Sequence, residues 1–273
     1  MNILKKLSNF KNGFEGGGPL NNRFNDTNIR QAISLWTSGR DADRIQATRM
    51  YGDISGWDVS RVTDMSELFK AVDDFNDDIS NWDVGNVINM REMFYLASSF
   101  NQPIGRWNVS KVTNMGEMFS GASAFNQPLG QWSVSNVTDM QGMFYDASAF
   151  NQPLENWERS DSTVGNVTDM RSMFKGASDF DQPIEQWNVA NGTHINYMFG
   201  RATAFLQRYP NAINDPRSIF TSAQTNTPNS NAFNNETLRN AVGLWVNDRE
   251  EAFSLYGDIN TWNVSQVTDM NNL

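Results

Sequence analysis

A tryptophan returns every 25 residues through the middle of this chain, at Trp57, Trp82, Trp107, Trp132 and Trp157, and again 30 residues later at Trp187. A phenylalanine follows each of the first four by 18 residues, at Phe75, Phe100, Phe125 and Phe150, and Phe180 and Phe205 close the last two copies. Between these anchors run further columns: Met65, Met90, Met115, Met140 and Met170, then Phe69, Phe94, Phe119, Phe144 and Phe174. A fixed period in this range marks a stacked array, because one short unit cannot bury its own apolar face and neighbouring copies must cover it. The core expected is a set of columns and not one central ball.

The copy from Trp107 to Gly130 shows what each unit offers. Val112-Thr-Asn-Met115 alternates apolar and polar, which predicts a short strand pairing in parallel with its counterparts. Met118 and Phe119 have helix-like spacing with Met115, which predicts a helical turn, and Asn126-Gln-Pro128 predicts a corner. The fold class expected is therefore an α/β repeat solenoid, leucine-rich-repeat-like, with one short parallel strand and a helical turn per repeat and small helical capping modules. At a strand spacing of about 4.8 Å, the copies make a rod on the order of 30 Å long.

The chain divides accordingly. Residues 1–23 read as a tail, and 24–56 as a helical module in which Ile29, Ile33 and Trp36 share a face behind Asn25, Asp26 or Thr27 as N-cap. Residues 57–205 hold six repeats, and 206–232 read as a polar, turn-rich linker. Residues 233–273 repeat the helical module, Phe233 to Trp245 echoing Phe24 to Trp36, and then begin another repeat at Trp262. Two copies depart from the rest. The fifth carries extra residues at 158–163, expected as a surface bulge, and the sixth is worn around His194, as expected of a terminal, closing copy.

The recurring string W-x-V-S-x-V-T-x-M-x-x-M-F-x-x-A-x-x-F-N-Q-P resembles the repeat of the BspA-like leucine-rich repeat surface proteins, a 25-residue unit of mycoplasma lipoprotein type. The resemblance covers residues 57–205 and the start of a further copy at 262–270. It implies a leucine-rich-repeat-like fold and a role in binding or adhesion, often at a bacterial surface. Similar repeats occur in protists, algae and large DNA viruses.

The chemistry visible in the sequence points away from catalysis. A net charge of −10 argues against nucleic acid, whose backbone needs a basic stripe. Without cysteine there is no disulfide and no thiolate metal site. One histidine, His194, cannot make a two-histidine site, and no nucleophile–base pair stands out, so neither enzyme activity, nor a metal, nor a cofactor is expected. The column Asp64, Asn89, Asn114, Asp139 and Asp169 offers oxygen ligands, but without a glycine-bracketed calcium loop it reads as a hydrogen-bonding or solvated column. The candidate contact residues are the acidic group Asp73, Asp74, Asp77 and Asp78, Arg159 and Asp161 on the bulge, and Leu273 at an unfinished repeat edge.

Two functions follow as expectations. The first is a non-enzymatic scaffold for binding other proteins or for adhesion, with host-surface partners. The second is a structural assembly component, such as a minor capsid or shell protein of a large DNA virus, using head-to-tail contacts at the open edge. The first places the chain at a cell surface; the second, favoured by the lack of an apolar leader after Met1, places it inside a cell or virion. No transmembrane segment is expected.

Overall fold

The computed structural model describes residues 22–159, 162–220, 233, 235–247, 252, 259, 262, 264–265 and 267–271. Helices α1 (Ile29–Trp36) and α2 (Asp41–Tyr51) precede the repeats. The six copies follow, then α3 (Thr203–Arg208) with two 3₁₀ turns (Pro210–Ile213 and Pro216–Ile219), and then α4 (Asn235–Asn247).

The copies stack, and the apolar columns form one continuous core. Phe69, Phe94, Phe119 and Phe144 lie nearly parallel with centroids 5.5–5.6 Å apart. A second stack, Phe75, Phe100, Phe125 and Phe150, runs beside it at 5.8–6.0 Å. The tryptophans are buried too, so each indole N–H needs an acceptor. It finds one 28 residues back along the chain, one layer down the stack: Trp107 Nε1 donates to the Ile79 carbonyl at 3.2 Å and Trp132 Nε1 to that of Ile104 at 3.3 Å. Core columns are thus tied across copies by packing and by hydrogen bonds together.

The expected α/β solenoid, with a strand and a helical turn in every repeat, does not form. Among the described residues there is no strand. Each copy contributes one isolated parallel bridge, linking Asp64 to Asn89, Asn89 to Asn114, Asn114 to Asp139, Asp139 to Asp169 and Asp169 to His194. Two local causes stop the strand at one residue. First, the Asx side chain turns back on its own backbone: Asn114 Oδ1 accepts the Gly116 N–H at 2.8 Å, and Asp139 Oδ1 that of Gln141 at 2.9 Å. Such an Asx turn bends the chain directly after the bridge. Second, two positions per copy adopt positive φ. Glu67, Glu92, Glu117, Gly142, Ser172 and Tyr197 form one such column, and Ala71, Leu96, Gly121, Asp146, Gly176 and Arg201 the other. These reversals also prevent the helical turn expected at Met118–Phe119.

The result is a ladder made of turns. Alternate N–H groups point to the next copy: Met115 to the Asp139 carbonyl, Glu117 to Gln141, Phe119 to Met143 and Gly121 to Tyr145, at 2.7–2.9 Å. The N–H groups between them close turns within the copy, Met118 to Met115, Ser120 to Glu117 and Ala122 to Phe119. Every buried amide needs a partner, and this alternation supplies one without a sheet.

The Asn-Gln-Pro corner forms a parallel polar ladder. Asn101 Oδ1 accepts the Asn126 N–H at 2.9 Å and Gln127 Nε2 at 2.9 Å, and Asn126 Oδ1 accepts from Asn151 and Gln152 in the same way. Asparagine supplies the acceptor for the next copy, and glutamine the donor to the previous one. The column ends at Asp181, whose carboxylate pairs with Arg208 at 2.9 Å.

Residues 203–220 lie over the last copy, with Phe205, Ala212, Ile219 and Phe220 joining the core. Of the expected tail 1–23 and the expected linker 206–232, residues 1–21 and 221–232 lie outside the described residues.

Candidate interaction surfaces and the closed ends of the stack

A stack of turns leaves hydrogen-bonding groups unmatched at both ends, and single side chains take their places. In interior copies the threonine carbonyl receives two N–H groups from the next copy: Thr113 O accepts from Thr138 at 2.8 Å and Asp139 at 3.4 Å. The first copy has no predecessor. There Asp26, from the turn before α1, supplies the acceptor: its Oδ1 takes the N–H of Thr63 at 2.7 Å and of Asp64 at 3.0 Å, and its Oδ2 the Thr63 hydroxyl at 2.7 Å. Arg30, four residues on, donates to the Ser66 carbonyl at 2.7 Å. Burial pushes the Asp26 carboxyl up. The Thr63 hydroxyl, the two N–H groups and the Arg30 charge outweigh that and hold it below its ordinary range.

The far end needs donors instead. In interior copies the serine carbonyl accepts an asparagine amide, as Ser110 O does from Asn136 at 2.7 Å. At the sixth copy, Arg217 Nη1 reaches the equivalent carbonyl, Ala190, at 3.1 Å, and Nη2 reaches that of Thr193. Burial lowers the Arg217 pKa, and nearby Asp215 opposes that shift. A carboxylate thus closes the donor end and a guanidinium the acceptor end.

The second helical module carries the same device. Asn235 Oδ1 accepts from Thr268 at 2.7 Å and Asp269 at 3.0 Å, and Arg239 pairs with Asp269 at 3.1 Å. Trp245 meets Trp262 edge-on at 5.7 Å, as Trp36 meets Trp57 at 5.6 Å. The sequence offers Asp26 only as a candidate helix N-cap, a place Asn28 takes instead, and it does not mark Arg217. The pair Asp26/Arg30 has a signal in hindsight, because Asn235/Arg239 occupies the same two places in the aligned module.

The sequence-derived contact residues fall in different settings. Asp77 accepts the Trp36 indole N–H at 2.9 Å and pairs with Arg44 at 2.7 Å, fastening α1 and α2 to the stack. Asp78 receives the Ser80 N–H, and hydrogen bonds from Ser80 lower its pKa. Asp73 and Asp74 are exposed beside them. Arg159 reaches back to the Gly130, Asn156 and Gln131 carbonyls, so its guanidinium pins the bulge to the stack. Glu158 does the same, taking Thr163 and the N–H groups of Val164 and Asn188. Asp161 and Leu273 lie outside the described residues. The tryptophan, methionine and phenylalanine columns are buried throughout 57–205.

Each Asx carboxylate or amide in copies one to five binds the N–H two residues on. Among the described residues no three His, Cys, Asp or Glu side chains converge as metal ligands. A shallow open cleft lies between α1 and α2, bordered by Gln31, Leu35, Arg40 and Met50. No helix among the described residues is long and apolar enough to cross a membrane.

The geometry defines a class: a strandless stack of turn-built repeats with side-chain-closed ends. The chain belongs to the family described as Mycoplasma protein of unknown function, DUF285, whose model matches residues 42–157, 130–240 and 214–273. No curated protein and no solved structure matches the chain.

Proposed function

We propose that this chain is a non-enzymatic repeat scaffold that binds other proteins, in an adhesion-type role akin to that of the BspA-like surface proteins its motif resembles. One observation carries the reading. The positions that recur from copy to copy are occupied in holding the stack: the Asx turns, the Asn-Gln ladder and the tryptophan N–H bonds. The positions that vary face outward. One such column reads Lys70, Tyr95, Tyr145 and Lys175, with Ser120 buried in the third copy, and another Arg61, Asn86, Lys111, Asn136 and Asn166. A rigid frame with a variable surface suits recognition, because little order is lost on binding. Cross-linking of the chain to a captured partner, followed by mapping of the linked residues, tests this. Links along outward columns are expected. Turnover of a substrate that is abolished by changing one polar residue would contradict it.

A further inference from the structure

One outward face differs from the rest in how completely its side chains are fixed. Its first column holds β-branched residues, Thr63, Ile88, Thr113, Thr138 and Thr168, all exposed, with Thr193 buried at the end. The threonine hydroxyls donate to the carbonyl of the preceding copy: Thr113 to Ile88 at 3.3 Å, Thr138 to Thr113 at 3.2 Å, Thr168 to Thr138 at 3.0 Å. The neighbouring column, two residues earlier, behaves alike. Asn86, Asn136 and Asn166 donate to the carbonyls of Ser60, Ser110 and Ser135 at 2.7–2.8 Å. Lys111 is tied down as well, onto Asn86 Oδ1 at 2.7 Å.

Three consequences follow. The side chains are pre-ordered, so binding costs little conformational entropy. The hydroxyl protons and one amide proton of each asparagine are directed into the stack and Lys111 takes Asn86 Oδ1, so the acceptors left outward are the hydroxyl oxygens of Thr113, Thr138 and Thr168 and the Oδ1 atoms of Asn136 and Asn166. Between those oxygens stand the methyl groups of threonine and isoleucine, repeated along the stack at about 4.8 Å. The ligand that complements this is long, rich in hydroxyl donors and lined with C–H surface. A phosphate- or sulfate-bearing polymer fits poorly, because along these two columns it brings acceptors to oxygen acceptors, with Arg61 and Lys111 the cationic exceptions. The net charge of −10 on the chain opposes such a polymer further.

We propose that the face built by Thr113, Thr138, Thr168, Asn86, Asn136 and Asn166 binds a neutral, extended polysaccharide lengthwise along the stack. The pyranose unit of an extended β-linked chain is close in length to the rise of one copy, so successive sugars meet successive threonines. This inference rests on the scaffold reading and adds to it a ligand class and a face.

The test is depletion of the full chain from solution by insoluble β-1,4-glucan, with a binding isotherm on soluble mixed-linkage β-glucan and dextran sulfate as the charged comparison. The chain is expected to bind both neutral glucans and not dextran sulfate. Thr138→Val, which keeps shape and methyls but removes the outward oxygen, is expected to weaken binding, and Thr113→Glu with Thr138→Glu to weaken it roughly tenfold or more. Arg106→Ser, at an exposed turn position outside these two columns, is expected to bind as the parent does. Thermal melts establish that each variant is folded. No binding to either neutral glucan, preference for dextran sulfate, or unchanged binding in the folded double variant would overturn the proposal. A double variant that loses glucan but still cross-links a protein partner leaves the scaffold reading standing, so the two ideas fail separately.

Discussion

Asp26 does for the first copy what a threonine carbonyl does for every later one. Its replacement by alanine leaves two backbone N–H groups and the Thr63 hydroxyl without their acceptor. The expected loss is about 1–3 kcal/mol, read as a shift in the urea midpoint. Asp26→Asn is expected to lose much less, because Asn235 holds Thr268 and Asp269 in the same geometry. The two also differ in pH dependence. The Asp26 carboxyl titrates below its ordinary value of 3.8 in the folded chain, so on acidification the unfolded chain takes up its proton first. Its contribution is therefore complete above the unfolded pKa and disappears as pH falls through the folded one. Acid titration of stability is expected to show that component in the parent and not in Asp26→Asn. In the interior, Trp107→Phe keeps the ring in its column but removes one of two donors to the Ile79 carbonyl, which retains the Trp82 N–H, at an expected cost of about 0.5–1.5 kcal/mol in the same assay.

At the level of the single copy, the turns set the cost and the ladders repay it. A non-glycine residue at positive φ is strained by roughly 1 kcal/mol or more. Ser172 sits at φ 54°, in the column where the fourth copy has Gly142. Ser172→Gly is expected to raise the thermal midpoint slightly, and a fall would show that the serine side chain matters more than the backbone strain. These turns were the part of the fold that could not be read from the residues. Val112-Thr-Asn-Met115 alternates as a strand does, yet four residues cannot distinguish a strand from one bridged residue followed by an Asx turn. Glutamate, alanine and leucine at 67, 71 and 96 carry no local sign of positive φ, because the next copy imposes it through hydrogen bonds. The columns were legible because burial follows the period directly. Trp107, Met115, Phe119 and Phe125 are all buried. The end-closing roles of Asp26 and Arg217 were not, since each depends on a residue far along the chain meeting an end that exists only once the copies have stacked.

Across the whole molecule, stability is carried between neighbours and not by a shared centre. The two ends should therefore fail independently. Arg217→Ala is expected to speed amide exchange in the sixth copy, around Ala190 to Thr193, while leaving the first copy unchanged, and Asp26→Ala to do the reverse. Loss of a ring from a middle column, as in Phe119→Ala, is expected to cost about 3–5 kcal/mol and to loosen the copies on both sides, since Phe119 stacks on Phe94 and Phe144. All of this rests on one claim: that the copies are joined by alternate amides of a turn ladder and not by strands. Scalar couplings across hydrogen bonds, measured by NMR on labelled protein, read those joints directly. The structure requires couplings from the amides of Met115, Glu117, Phe119 and Gly121 to the carbonyls of Asp139, Gln141, Met143 and Tyr145. Couplings confined to residues 112–115 and their counterparts, as in a parallel strand ladder, would contradict it.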